Sequence, residues 1–193
     1  MADRTEYSHR SQFPQFLESS HNPDSRGMHS KFFGKGPAKI ALNQPYKIEE
    51  VFLTTNNKDV VRGMHFQTPG QPKIIQVITG SLQGNLVCCN PDLIEFGRGF
   101  SYSLNAGGGR ILVPGDWALG YRALEEDTRV LYLAGADFVA GGDTGIDPFD
   151  PALELHWGYT GENSRAFVKA DAILSEKDLS LPTFAEYAAT FNS

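Results

Sequence analysis

Within a dozen residues the chain places a guanidinium, an imidazole and an ammonium: Arg62 and His65 in Val61-Arg62-Gly63-Met64-His65-Phe66-Gln67-Thr68-Pro69, then Lys73 at the head of an apolar run. A histidine takes up a proton near neutral pH, and a neighbouring cation stabilises the negative charge that remains. In outline, that is enolate chemistry. Each residue also has an ordinary explanation. A histidine in an apolar strand is more often a hydrogen-bonded structural residue than a catalyst, and a surface Arg or Lys needs no special reason. Strict strand alternation puts Val61, Gly63, His65 and Gln67 on one face and Arg62, Met64 and Phe66 on the other. Arg62 and His65 share a pocket only if Gly63 introduces a bulge or bend.

The elements that must position these groups read as β-strands. Segments 50–54, 60–66, 73–79, 82–89, 100–104, 110–113 and 129–133 are rich in β-formers and separated by Gly, Pro and Asn, the pattern of a sandwich or barrel. The residues around His65 and Lys73 look like a hairpin, and Gly80-Ser81 reads as a two-residue hairpin turn. Ala106 to Gly109 is a flexible connection. Helical periodicity is convincing only in 183–191, where Thr183 and Glu186 form a capping box and Phe184, Tyr187 and Ala188 share a face. Ser175 and Asp178 could likewise cap a short turn.

Composition narrows the classes. A chain of 193 residues, 40% hydrophobic and 21% charged, fits one globular domain spanning 1–193. A formal net charge of -6 with no dominant basic cluster argues against nucleic-acid or anionic-membrane binding. Cys88 and Cys89, the only cysteines, are adjacent and bridge poorly, so no disulfide framework is expected. Residues 1–20 carry no apolar targeting core, and no run is long enough to span a membrane. A cytoplasmic protein is the expectation. No metal is expected, because His65 has no second histidine within ten residues and His9, His21, His29 and His156 lie in dissimilar contexts. The phosphate-binding glycine loop, the dinucleotide fingerprint and the serine-nucleophile turn are missing too.

Five segments in order, Asp24-Ser25-Arg26-Gly27, the Arg62–His65 strand, the turn Pro114-Gly115-Asp116-Trp117-Ala118-Leu119-Gly120-Tyr121, Asp150-Pro151-Ala152-Leu153 and Ile173-Leu174-Ser175-Glu176-Lys177-Asp178, resemble the dTDP-4-dehydrorhamnose 3,5-epimerases. The likeness covers roughly residues 20 to 182. It implies a mostly β, cupin-type jelly roll with short C-terminal helices, a homodimer without cofactor, acting on a nucleotide-linked 4-keto-6-deoxyhexose. By resemblance His65 is the base, Asp178 its partner, Lys73 the cation at the enolate oxygen and Tyr132 the acid. Arg26 and Arg62 match diphosphate contacts, and Gln67 completes the motif strand on the substrate side. Without the likeness, Tyr132 would read as packing.

Departures accompany the match. Leu119 stands where the family holds a histidine, and Phe138 falls at the position of a second active-site tyrosine. Lys31 replaces a glutamate used in base recognition, and His29 an aromatic residue. The strand Gln83-Gly84-Asn85-Leu86-Val87-Cys88-Cys89 lacks the usual aspartates. The expected activity is inversion at C3, C5 or both of a dTDP-sugar. Alternatives are a single-centre epimerase on a CDP- or GDP-sugar, and a jelly roll that binds a nucleotide sugar without turnover.

Overall fold

The computed structural model of the chain describes residues 13–18, 20–31, 46–160 and 164–191. Two five-stranded antiparallel sheets face each other. The first has the order β1 (Gln15–Leu17), β9 (Arg110–Val113), β6 (Lys73–Thr79), β11 (Thr128–Ala134), β4 (Glu50–Asn56). The second runs β12 (Asp143–Gly145), β5 (Val61–Gln67), β10 (Trp117–Ala123), β7 (Ser81–Cys88), β8 (Gly99–Asn105). Two small hairpins stand apart, β2 (Ser20–Asp24) with β3 (Gly27–Lys31), and β13 (Tyr159–Thr160) with β14 (Arg165–Ala166). Helices α1 (Glu176–Leu179) and α2 (Phe184–Ala189) close the chain, giving the expected mostly β jelly roll with short C-terminal helices.

Period-two patterning explains the layers. Ile75 and Val77 of β6 and Val130 of β11 point between the sheets, where Leu82, Leu86, Leu104 and Ile111 join them in a buried cluster. On the outer side of the second sheet Val61, Met64, Phe66 and Ala118 pack under Ile146, Leu153, Trp157 and Phe167 of the C-terminal segment. The capping box of α2 forms as expected. Thr183 N donates to Glu186 Oε2 at 2.8 Å, and Tyr187 packs its ring on Phe66.

Three expectations fail. Strands β5 and β6 are not a hairpin but belong to opposing sheets. Nor is Gly80-Ser81 a hairpin turn: β6 pairs with β9 and β11, β7 with β10 and β8, and Gly80, at φ 78°, is the corner where the chain crosses between sheets. A sharp reversal has the same glycine chemistry whether or not its flanking strands then pair. The segment ending at Tyr121 is no turn either. Trp117–Ala123 is a fully buried strand between β5 and β7, with Gly115-Asp116 as its preceding turn.

The bend required at Gly63 is present. Leu119 pairs with His65 and Tyr121 with Arg62, so a step of two on β10 meets a step of three on β5. Gly63 takes φ 106°, and a Cβ there would meet the Leu119 carbonyl oxygen and lie 2.7 Å from Gly120 Cα. The extra residue sends Val61 and Met64 outward and both Arg62 and His65 inward. Gly63→Ala should therefore destabilise the fold by about 2 kcal/mol or more, read as a lower denaturation midpoint in urea. A change under about 0.5 kcal/mol would show that the bulge tolerates a side chain.

Candidate active site

The inward groups converge in a cavity of about 250 Å³ that opens between the sheets. The second sheet and its neighbours contribute Arg62, His65, Gln67, Leu119, Tyr121 and Asp143; the first contributes Glu50, Phe52, Thr54, Lys73 and Tyr132. Gln71 and Phe138 complete the wall. Seven residues singled out from the sequence, His65, Lys73, Tyr132, Arg62, Gln67, Leu119 and Phe138, thus share one pocket.

Asp178 lies behind His65, with Oδ1 2.6 Å from Nε2, off the line of the ring N–H but within ion-pair distance. Its other oxygen accepts from Ser175 Oγ at 2.8 Å, while Ser175 Oγ accepts from Asp178 N at 3.1 Å. The capping role and the histidine-partner role therefore coexist in one side chain. Burial pushes the Asp178 carboxyl up, but the His65 and Ser175 contacts outweigh it and hold the group below its ordinary 3.8. With Nε2 turned to Asp178, Nδ1 is the nitrogen left to accept a proton. The C-terminal segment reaches this place because its backbone is tied to β5: Val61 N donates to Ile173 O at 3.0 Å and Ile146 N to Met64 O at 2.9 Å.

Across the cavity, the Tyr132 ring stacks on Phe52 at 4.5 Å, and burial, followed by the nearby Tyr121 hydroxyl, pushes its phenol well above 10. Tyr132 is held as a proton donor. Burial lowers the Lys73 ammonium from its ordinary 10.5; Asp143 and Glu50 oppose that, while Lys177 reinforces it. Arg62 is anchored through Nε, which donates to Asn56 Oδ1 at 2.6 Å. Among the described residues no three His, Cys, Asp or Glu side chains group as metal ligands would.

The hairpin residues behave differently. Arg26 is exposed at the β2–β3 turn, paired with Asp24 at 2.6 Å, and His29 is exposed on β3; Lys31 ends that strand. Neither Arg26 nor His29 lines the cavity of its own chain, and the Lys31 side chain lies outside the described residues. The sequence reading also passed over Tyr121, Thr54, Asn56, Glu50 and Asp143. For Tyr121 the signal existed: Trp117, Leu119 and Tyr121 alternate with Ala118 and Gly120, which is strand spacing.

Since the folded-state carboxyl of Asp178 lies below its ordinary value, it adds stability above about pH 4 that is lost as pH falls through the folded value. Asp178→Asn should cost about 1.5–3 kcal/mol at neutral pH, a gap to wild type that closes on acidification. Urea midpoints across pH would read it, and a gap that stays constant into acid would show that the carboxylate charge is not what stabilises.

A sequence profile of the dTDP-4-dehydrorhamnose 3,5-epimerases matches residues 15–186. A Mycobacterium tuberculosis dTDP-4-dehydrorhamnose 3,5-epimerase is 26% identical over 170 residues, 86% of this chain and 81% of the relative. A Streptomyces niveus dTDP-4-dehydrorhamnose 3-epimerase is 24% identical over 168 residues, 84% of this chain and 81% of its own. The solved Bacillus anthracis 3,5-epimerase with TDP and PPi bound superposes with a TM-score of 0.77 at 28% identity, covering 88% of this chain and 93% of that one. A profile spanning both sheets, the Arg62–His65 strand and the Asp178 turn leaves one conclusion: the chain belongs to the dTDP-4-dehydrorhamnose 3,5-epimerase family.

Proposed function

We propose that this protein, as one jelly-roll unit, inverts C3, C5 or both of a nucleotide-linked 4-keto-6-deoxyhexose, with dTDP as the carrier, in deoxysugar biosynthesis. One observation carries the reading: His65 and Tyr132 enter the same cavity from opposing sheets. Inversion needs a proton taken from one face of a carbon and another returned to the opposite face, and protons beside a ketone are acidic because the carbanion delocalises onto oxygen. In this mechanism His65 is the base, and Asp178 orients it and favours the imidazolium that forms. Lys73 stabilises the enolate at O4, and Tyr132 delivers the returning proton. Arg62, with Nε pinned, presents its remaining nitrogens to the diphosphate.

A single-centre reading stands beside it, favoured by the apolar Leu119 paired directly against His65 and by the Phe138 ring, which has no hydroxyl. A homodimer fits the outward face of β4, where Val51 and Leu53 are 60% and 51% exposed. It would also give the Arg26, His29 and Lys31 hairpin a second pocket to reach. The acidic chain and unbridged Cys88 and Cys89 accord with the cytoplasm.

Incubation with dTDP-, CDP- and GDP-linked 4-keto-6-deoxyhexoses in deuterated water, with NMR of the exchanged carbons, tests enzyme against binder and one centre against two. His65→Ala should abolish exchange while nucleotide binding survives; undiminished exchange would remove His65 from the role. Lys73→Met should slow turnover on the order of a hundredfold, and a fall below about twofold would refute the assignment. The wild-type rate should also decline with rising pH before an ordinary lysine would titrate, because the protonated form is needed and burial lowers its pKa.

A further inference from the structure

Beside Tyr132 the cavity holds a second phenol whose surroundings are fully specified. Tyr121 is 1% exposed, and its hydroxyl lies 2.9 Å from Thr54 Oγ1 and donates to Asn56 Oδ1 at 3.3 Å. Asn56 cannot turn, because its Nδ2 donates to the Thr128 carbonyl at 2.9 Å and approaches Thr54 Oγ1 at 3.3 Å. Its Oδ1 has a better donor already in Arg62 Nε at 2.6 Å. The Tyr121 proton can therefore leave Asn56 without orphaning a buried acceptor, while the Thr54 hydroxyl keeps the Tyr121 oxygen satisfied. Tyr132 shares the buried cluster and the cavity wall with Tyr121. With the Tyr121 proton resting on Asn56, the Tyr121 hydroxyl pushes the Tyr132 phenol up in the resting site, and only a turn of that proton reverses the effect. Packing explains a buried tyrosine ring; it does not explain a hydroxyl held between a fixed amide, a threonine and the acid.

We propose that Tyr121 is a positioning residue that acts through Tyr132, turning its proton from Asn56 to the Tyr132 oxygen as that oxygen becomes negative. The proposal rests on the epimerase reading. In the step, the Tyr132 O–H bond breaks and a C–H bond forms from the electron pair of the enolate, so the enolate charge passes to the Tyr132 oxygen. The Tyr121 hydrogen bond and the Arg62 cation, linked through Asn56, stabilise that phenolate in a site where burial otherwise opposes it. Solvent later returns a proton to Tyr132, and His65 releases its own. Proton removal by His65 does not pass through this network.

Tyr121→Phe keeps the buried ring and tests the idea on inversion and exchange separately. Inversion should slow by about tenfold to a hundredfold with KM changed less than about twofold, while deuterium still enters the recovered, uninverted sugar, so the ratio of exchange to inversion rises. Thr54→Val should shift the ratio the same way to a smaller extent. Inversion at the wild-type rate in Tyr121→Phe, or equal loss of exchange and inversion, overturns the proposal while leaving the epimerase reading intact. A wild type that exchanges no carbon of any of the three nucleotide sugars overturns both.

Discussion

The site depends on one extra residue in β5. A regular strand would carry Arg62 and His65 to opposite faces, one into the cavity and one into the apolar layer beneath the C-terminal segment. The bulge at Gly63 removes that conflict, and it also lets Val61 and Met64 both face outward into the layer they need. Only glycine fits, since the positive φ and the contact with the Leu119 and Gly120 backbone leave no room for a Cβ. The backbone geometry that makes the pocket polar thus also keeps the outer core apolar.

A second constraint is the division of the space between the sheets. Part is closed by Ile75, Val77, Leu82, Leu86 and Ile111, and the cavity occupies the rest. This apolar floor is what displaces the Lys73 and Tyr132 equilibria, each toward its neutral form. For Tyr132 that is retention of its proton; for Lys73 it is a cation poorly solvated by water and therefore a strong partner for an anion.

The C-terminal segment is the third. Arg122, 2% exposed, pairs with Asp59 at 2.7 Å, donates to the Trp157 and Tyr159 carbonyls, and lies 3.7 Å from the centre of the Phe167 ring. A guanidinium saturated in this way is structural. It holds down the chain that leads to Ile173, whose backbone then joins the start of β5 and brings Asp178 behind His65. A carboxylate over a hundred residues from its histidine is placed by main-chain bonds.

From its sequence alone the chain determined the β class, most strand positions and the α2 capping box, and it singled out His65; Lys73, Tyr132 and Asp178 were picked out with it through the family resemblance. Strand alternation and caps are local, and the motif strand is a run of adjacent residues. The sequence even posed the Gly63 question correctly, since alternation forced a choice between a bulge and no shared pocket. What tertiary structure decided is everything that turns on which sheet a strand joins. Gly80 looks the same at a hairpin and at a corner between sheets, so only the pairing could place His65 and Lys73 across a cavity. The strand spacing of Tyr121 was legible, but the surroundings of its hydroxyl were not, for a related reason: Thr54, Asn56 and Tyr132 are brought to it by two other strands. The Arg26 hairpin marks the limit of both, for it carries the motif residue yet lies outside the pocket of its own chain. Local chemistry fixes what a residue can do, and long-range pairing fixes what it faces.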